Sequence, residues 1–267
     1  MRAKFFLAAF VLHVAASAVF GLDVASELDR IAALHKSGDH AGAFAAIDAL
    51  ILAAPDDPRG YFLRGKYNLI SNDKVAIESF TKGLQLDPRN GEALWYRGLC
   101  YTLEKLYGKA EADFLKAITV DPRYIEAYCS LGDVYSAEGK FKAASCEYWL
   151  ALTVDWNSAS PWYGLGKLYY EKLGYPRIAI SYVSKAIDLK KNDARSYVLR
   201  SSCYKDLKIY DLALQDLNEV MQRFPNYPYI LKLRARVEAE SGDFYQAGKD
   251  YYADYLETQR LLSKQKK

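Results

Sequence analysis

Two neighbouring stretches decide the fold: Leu94-Trp95-Tyr96-Arg97-Gly98-Leu99-Cys100-Tyr101, and then Lys109-Ala110 through Ala117-Ile118-Thr119-Val120-Asp121-Pro122. Gly98 and Ala110 are small, and a small residue on each of two helices lets their backbones approach closely. The large aromatics a turn away fill the space beside that contact. Pro122 ends the second segment, because proline has no N–H and clashes with the preceding turn.

The pattern recurs along the chain. Alanines stand at Ala43, Ala76, Ala110, Ala144, Ala179, Ala213 and Ala247, in steps of 33, 34, 34, 35, 34 and 34. Small residues recur at Gly65, Gly98, Gly132, Gly166, Ser201 and Ala235, and Tyr101, Tyr135, Tyr169 and Tyr204 follow four of them. Pro55, Pro88, Pro122, Trp156, Lys191 and Pro225 follow the first six alanines. Gly38, Gly139 and Gly242 suit the turn between paired helices, where positive φ is easiest for glycine. A helix–turn–helix of about 34 residues cannot bury its apolar face alone, so such units must stack.

The sequence resembles the tetratricopeptide repeat family, most clearly from Leu94 to Pro122 and from Tyr128 to Asp155. The resemblance implies an all-α fold, a right-handed superhelical α-solenoid of helix–turn–helix repeats. Seven units are expected within residues 22–261, at about 24–57, 58–90, 91–124, 125–158, 159–193, 194–227 and 228–261. The first and last are degenerate, with Glu238 where other units place Tyr and Asp254 where they place a small apolar residue. The uneven steps are expected to fall in turns, at Ser71–Lys74 and Lys172–Pro176, with both helices of those units in register. Residues 262–267 read as a basic tail.

The first 21 residues have the layout of a secretory signal. Arg2 and Lys4 precede the apolar run Phe5–Val14, and small residues follow at Ala16-Ser17-Ala18 and at Gly21. The rival is an uncleaved anchor, for which Phe5–Leu22 is barely long enough. Export to a bacterial periplasm or cell envelope is the expectation, with secretion or an endoplasmic-reticulum lumen as the alternative.

Composition excludes several functions. The 267 residues are 51% apolar and 26% charged, which excludes a disordered chain. A net charge of +3 gives no sign of nucleic-acid binding. The 23 tyrosines are unusual, and several fall at in-phase packing positions. Cys100, Cys129, Cys146 and Cys203 have no metal-like spacing, and no metal or cofactor is expected. His13, His35 and His40 all lie near the N-terminus, leaving most of the chain without an imidazole for catalysis. Gly60–Tyr67 nearly matches a phosphate-binding loop, but Tyr67 replaces the hydroxyl residue and Gly65 already has a packing role. Gly164-Leu165-Gly166 lacks the third glycine of a dinucleotide fingerprint.

The resemblance further implies that the first helix of each unit lines a groove. Carried over by position, its candidate partner-binding residues are Phe62, Lys66, Leu69, Trp95, Leu99, Leu103, Tyr163, Tyr170, Arg195, Lys205, Lys232 and Arg236. The part from Phe62 to Leu103, with Ile70, is apolar and aromatic beyond what the repeat requires. Arg195, Lys205, Lys232 and Arg236 make the far end basic. The pairs Phe62/Lys66, Trp95/Leu99 and Cys129/Asp133 do not fit the clamp by which co-chaperone repeats hold a C-terminal carboxylate. The expected function is an exported, non-catalytic scaffold binding a peptide or helix of an envelope protein. The alternative is a small-molecule or lipid-binding accessory protein using the apolar part. Membrane contact is expected only if the signal is retained.

Overall fold

The computed structural model describes residues 23–69 and 72–265. The signal segment, Ile70, Ser71 and the last two lysines lie outside the described residues. Among the described residues there are only helices and turns. They form helix–turn–helix pairs: α1 (Val24–Lys36) with α2 (His40–Ala53), α3 (Pro58–Asn68) with α4 (Asp73–Leu86), and α5 (Gly91–Leu103) with α6 (Tyr107–Val120). Then come α7 (Ile125–Ala137) with α8 (Phe141–Val154), and α9 (Ala159–Lys167) with α10 (Pro176–Leu189). The series closes with α11 (Ala194–Asp206) and α12 (Tyr210–Arg223), then α13 (Ile230–Ser241) and α14 (Phe244–Gln265). The chain divides into two compact units, up to Ala127 and from Tyr128 on, and each is described by itself.

Short polar side chains start the early helices. Asp39 Oδ1 accepts the Gly42 N–H at 2.8 Å, Asp57 Oδ1 accepts the Arg59 N–H at 2.9 Å, and Asn90 Oδ1 accepts the Ala93 N–H at 3.0 Å. Each satisfies a donor the helix cannot use internally. The second helices end at Ala54, Asp87 and Asp121, whose φ near −130° is what a following proline enforces. Asp155 and Lys190 adopt the same conformation before Trp156 and Lys191. The break therefore belongs to the repeat and does not need proline.

Gly38, Gly139 and Gly242 take positive φ at their turns, as the sequence suggested. At the matching places Lys105 and Lys208 adopt φ of 58° and 60°. The turn is thus held even where a side chain costs about 1–2 kcal/mol there.

The small residues are contact points between helices. A Cβ on Gly98 would stand 2.5 Å from the Phe114 ring, and one on Gly65 would stand 2.7 Å from Phe80. Gly65 is a packing residue inside α3, which accounts for the near-match to a phosphate loop. In the second unit Tyr148, 1% exposed, is flanked by Gly132 and Gly164.

One expectation about register is corrected. The extra residue between Gly166 and Ala179 does not lie in the turn. It is absorbed by a π-helical segment, Leu168–Lys172, that continues α9. The Leu173 N–H reaches back five residues to the Leu168 carbonyl at 3.2 Å, and the Tyr175 N–H reaches six to Tyr169 at 2.8 Å. In α7 the corresponding Lys140 N–H reaches back only five, to Tyr135. A π bulge is how a helix takes up one residue without moving its neighbours. The shortened segment of the second repeat falls partly on Ile70 and Ser71, outside the described residues. At the C-terminus, α14 runs on to Gln265, past the boundary expected at Leu261.

Candidate binding faces and the repeat clamp

In the first unit, the first helices α1, α3 and α5 border a cavity of about 240 Å³, lined among others by Leu28, Arg59, Phe62, Lys66 and Glu92. Phe62 is its floor. The ring is buried, and a Cβ on Gly83 would stand 2.4 Å from it. Phe62 is therefore required by packing, contrary to the reading that repeat logic leaves it spare. Lys66 Nζ donates to Glu92 Oε1 at 2.7 Å and lies 5.2 Å from the centre of the Tyr96 ring. Arg59 is held on Asp57 through Nε at 3.0 Å and Nη2 at 2.7 Å.

Beyond the cavity, α5 presents an apolar strip. Trp95 packs against Tyr96 and Tyr124, with ring centres 4.8 and 5.8 Å away. Leu99 and Leu69 are half-buried, and Leu103, one turn past Leu99, is 64% exposed. Trp95, Leu99 and Leu103 follow the i, i+4, i+8 spacing of one helix face.

In the second unit the expected basic end is locally neutralised. The Arg195 guanidinium lies 5.2 Å from the Tyr163 ring and donates to Asp193 Oδ1 at 3.0 Å. Lys205 Nζ lies 3.1 Å from Asp206 Oδ1 and 3.6 Å from Glu240 Oε1. The Tyr170 hydroxyl donates to Asp206 Oδ2 at 2.8 Å. Carboxylates that the sequence scatters along α11 and α13 thus fold back onto these cations. Lys232 and Arg236 are exposed, and Arg236 borders a cavity of about 170 Å³ with Tyr170, Ser202, Lys205 and Leu233. Burial pushes the Tyr163 phenol up to about 12.

The remaining candidate chemistry is structural. Cys100 and Cys203 are buried at equivalent positions, and burial pushes their thiols up to about 11 and about 12, away from the reactive thiolate. His35 stacks on Tyr67 with ring centres 4.5 Å apart. Among the described residues no three His, Cys, Asp or Glu are grouped to hold a metal. No described helix is long and apolar enough to cross a membrane.

A clamp outside any catalytic or metal-binding motif repeats along the chain. Arg97 donates through Nε and Nη2 to Asp113 at 2.7 and 2.7 Å, and through Nη1 to Thr81 Oγ1 at 3.1 Å. Arg200 holds Asp216 and Ser184 in the same way, and Arg234 holds Asp250 and Asn218. In each case the carboxylate lies 16 residues ahead and the third partner 16 behind, on the second helix of the preceding pair. One guanidinium thus ties three successive helices, using the two-point geometry that suits arginine and carboxylate. The signal was an arginine immediately before the small residue, at Arg64, Arg97, Arg200 and Arg234.

The last clamp is overloaded. Glu238, in the position of the repeat tyrosine, is 5% exposed and lies 3.5 Å from Arg234 Nε, which Asp250 already holds. Among the described residues its Oε2 is buried with no hydrogen-bond partner. Burial raises the Glu238 pKa, Asp250 and Asp243 raise it further, and Arg234 opposes them. A carboxyl raised in the folded state favours folding most below its unfolded pKa, and that stability is lost as pH rises through the folded value. Glu238→Gln is therefore expected to stabilise the chain by about 1 kcal/mol at neutral pH, with the gain vanishing towards pH ~4. Thermal melts across that range check it; a gain independent of pH would contradict this account.

Comparison with known proteins bears on this architecture. A tetratricopeptide repeat model matches residues 74–128, and a second model of the same description matches residues 159–193. No curated protein matches the chain. Among solved structures, a tetratricopeptide repeat protein from Parabacteroides merdae aligns with a TM-score of 0.68 at 19% identity, over 86% of this chain and 91% of that one. PilW, a widely conserved type IV pilus biogenesis factor, aligns at a TM-score of 0.67 and 19% identity, over 80% of this chain and 99% of that one, and pilF of Pseudomonas aeruginosa is covered over 96% of its length. The pilF alignment has a TM-score of 0.63, again at 19% identity and 80% of this chain. At these identities the likeness is one of fold. The helix pairs, the glycine–aromatic contacts and the matched repeats agree: this chain carries tetratricopeptide repeats and is built as an α-solenoid of them.

Proposed function

We propose that the protein is an exported, non-catalytic scaffold whose first-helix faces bind a peptide or helix of another envelope protein. Solenoids of this fold are in general interaction scaffolds, and the fold suits one here. In this reading the chain carries seven repeats behind a signal segment at residues 1–21. The observation that carries the binding role is the strip Trp95–Leu99–Leu103 on α5, exposed at Leu103 and bordered by the Lys66–Glu92 pair. Aromatic and leucine side chains at helical spacing beside a polar rim are what an extended or helical segment seats on.

Small-molecule sites usually enclose about 300–1,000 Å³. The cavities on the first-helix faces, about 240 and 170 Å³, are smaller, which favours a polypeptide there. A hollow of about 750 Å³ between α2 and α3, lined by Ala49, Leu52, Pro55 and Tyr61, is where the accessory-protein reading would place a ligand.

The test is recovery of partners from cell envelopes by the wild type and by Leu103→Asp with Glu92→Lys, both exposed positions. Phe62→Ala is unsuitable, because it would disturb the core. Loss of a specific partner from the double variant, with the helical signal unchanged, is the expected result.

A further inference from the structure

The clamp arginine is replaced by Leu131 on α7 and by Leu165 on α9, and around Leu165 the partners are aromatic. Where Arg97, Arg200 and Arg234 stand, α9 has Leu165, and the partner positions on α8 and α10 hold Trp149 and Tyr182. These two rings meet with centres 6.2 Å apart. Trp162 lies 5.7 Å from Trp149 and 4.8 Å from Trp156, edge-on to both. Three of the chain's four tryptophans are therefore together.

Packing alone does not account for this arrangement. Trp162 is 6% exposed, but Trp156 is 53% and Trp149 37% exposed. Trp156 occupies a position that is proline in four other repeats. Leu150 on α8 is 46% exposed, Ile178, one turn before Tyr182 on α10, is 42% exposed, and Tyr175, which caps the start of α10, is 55% exposed.

Charge around this patch is positive. Lys142 lies two turns before Trp149 on α8, Lys185 one turn after Tyr182 on α10, Arg177 beside Ile178, and Lys190 and Lys191 just past the end of α10, and among the described residues none of the five is in an ion pair. One repeat further on, α12 carries Asp211 in the place of Arg177 and Glu219 in that of Lys185, with Asn218 and Gln222 on the same face. The sign reverses where the aromatics stop. The carboxylates of these segments are Glu147, one turn before Leu150 on α8, Asp155 beside Trp156, and Asp188 on α10, fewer than the five cations.

We propose that this surface docks on a membrane containing anionic lipid, with Trp149, Leu150, Trp156, Tyr175 and Ile178 in the interfacial layer and the lysines and Arg177 on headgroup phosphates. Trp and Tyr have an apolar body and a polar edge suited to the lipid–water boundary. Clustered Lys and Arg supply the electrostatic attraction to anionic lipid. Trp162 meets both Trp149 and Trp156 edge to face, so the three rings form one contiguous aromatic cluster at this surface. This contact is separate from the first-helix faces, and it does not depend on whether the signal segment is retained.

The experiment uses the full chain with vesicles of phosphatidylcholine alone or mixed with phosphatidylglycerol. Co-sedimentation with the anionic vesicles only, weakened by salt, is expected. Tryptophan emission is expected to shift to the blue and to be quenched by lipids brominated near the headgroup. Leu150→Glu with Trp156→Glu, and separately Lys190→Glu with Lys191→Glu, are expected to weaken binding about tenfold or more. Both variants keep residues 1–22, so binding through that segment alone would leave them unaffected and overturn the proposal. Absence of binding by the wild type would overturn it too. So would a self-associated species that dissociates in the tryptophan variant, which would make the patch a contact between copies. The lysine pair is exposed at the end of α10, so the test stands even if the α8 variant fails to fold.

Discussion

Replacing Tyr148 with alanine is expected to lower the stability of the second unit by about 3–5 kcal/mol, the range for removing a large buried aromatic. The ring is 1% exposed and fills the gap between α7 and α9. A Cβ on Gly132 would stand 2.8 Å from it, and one on Gly164 would stand 2.4 Å away. Its hydroxyl donates to Asp133 Oδ1 at 3.0 Å. The glycines and the ring form one joint, so their effects must couple. Gly164→Ala alone is expected to cost about 1–3 kcal/mol through overpacking. Added to Tyr148→Ala, the same methyl enters the space the ring has left, and the double variant should be more stable than the sum predicts. Denaturant unfolding of the two single variants and the double checks this. Additive losses would mean that the ring and the glycines do not form a joint.

Asp216→Ala is expected to cost about 3–5 kcal/mol, because it leaves Arg200 buried without its carboxylate. Arg200 Nε and Nη2 donate to Asp216 at 2.9 and 2.7 Å, and the two side chains are 20% and 6% exposed. Burial raises the Asp216 pKa against the pull of Arg200, as expected where desolvation offsets much of the attraction. The net worth of the pair is therefore smaller than the cost of breaking it. Replacing both partners, Arg200→Leu with Asp216→Tyr, should recover much of the loss. The molecule makes that exchange itself at Leu165 and Tyr182. Urea melts of the single and double variants decide it. A loss below about 1 kcal/mol for Asp216→Ala is what an exposed ion pair would give, and would show that the clamp does not hold the helices.

The helix pairs were legible because their cause is local and periodic. The small residue at Gly98, the ring at Phe114 and the break at Asp121-Pro122 recur in sequence as they recur in space. The π bulge at Leu168–Lys172 was not legible. An extra residue can be taken up in a turn or in a helix, and only the Leu173-to-Leu168 hydrogen bond separates the two. The first-helix faces were legible by position but not by environment. Position places Phe62 on the face, yet the absence of a side chain at Gly83 draws its ring inward. Arg195 and Lys205 read as free positive charge until Asp193, Asp206 and Glu240 fold against them. The clamps were present in the sequence as arginines with a carboxylate 16 residues on. That spacing belongs to no catalytic or metal-ligating motif, because it joins helices of successive pairs.

That another protein binds the first-helix face of α5 is tested most directly by one comparison. Partners are recovered from cell envelopes with wild type, with Leu103→Asp plus Glu92→Lys, and with Leu115→Asp on the second helix of the same pair. Leu103 and Leu115 are both exposed, so each charge enters water and the fold should be unaffected. A partner retained by Leu115→Asp and lost from the Leu103 variant is the predicted result. Equal recovery by both variants, or loss from Leu115→Asp alone, would contradict it.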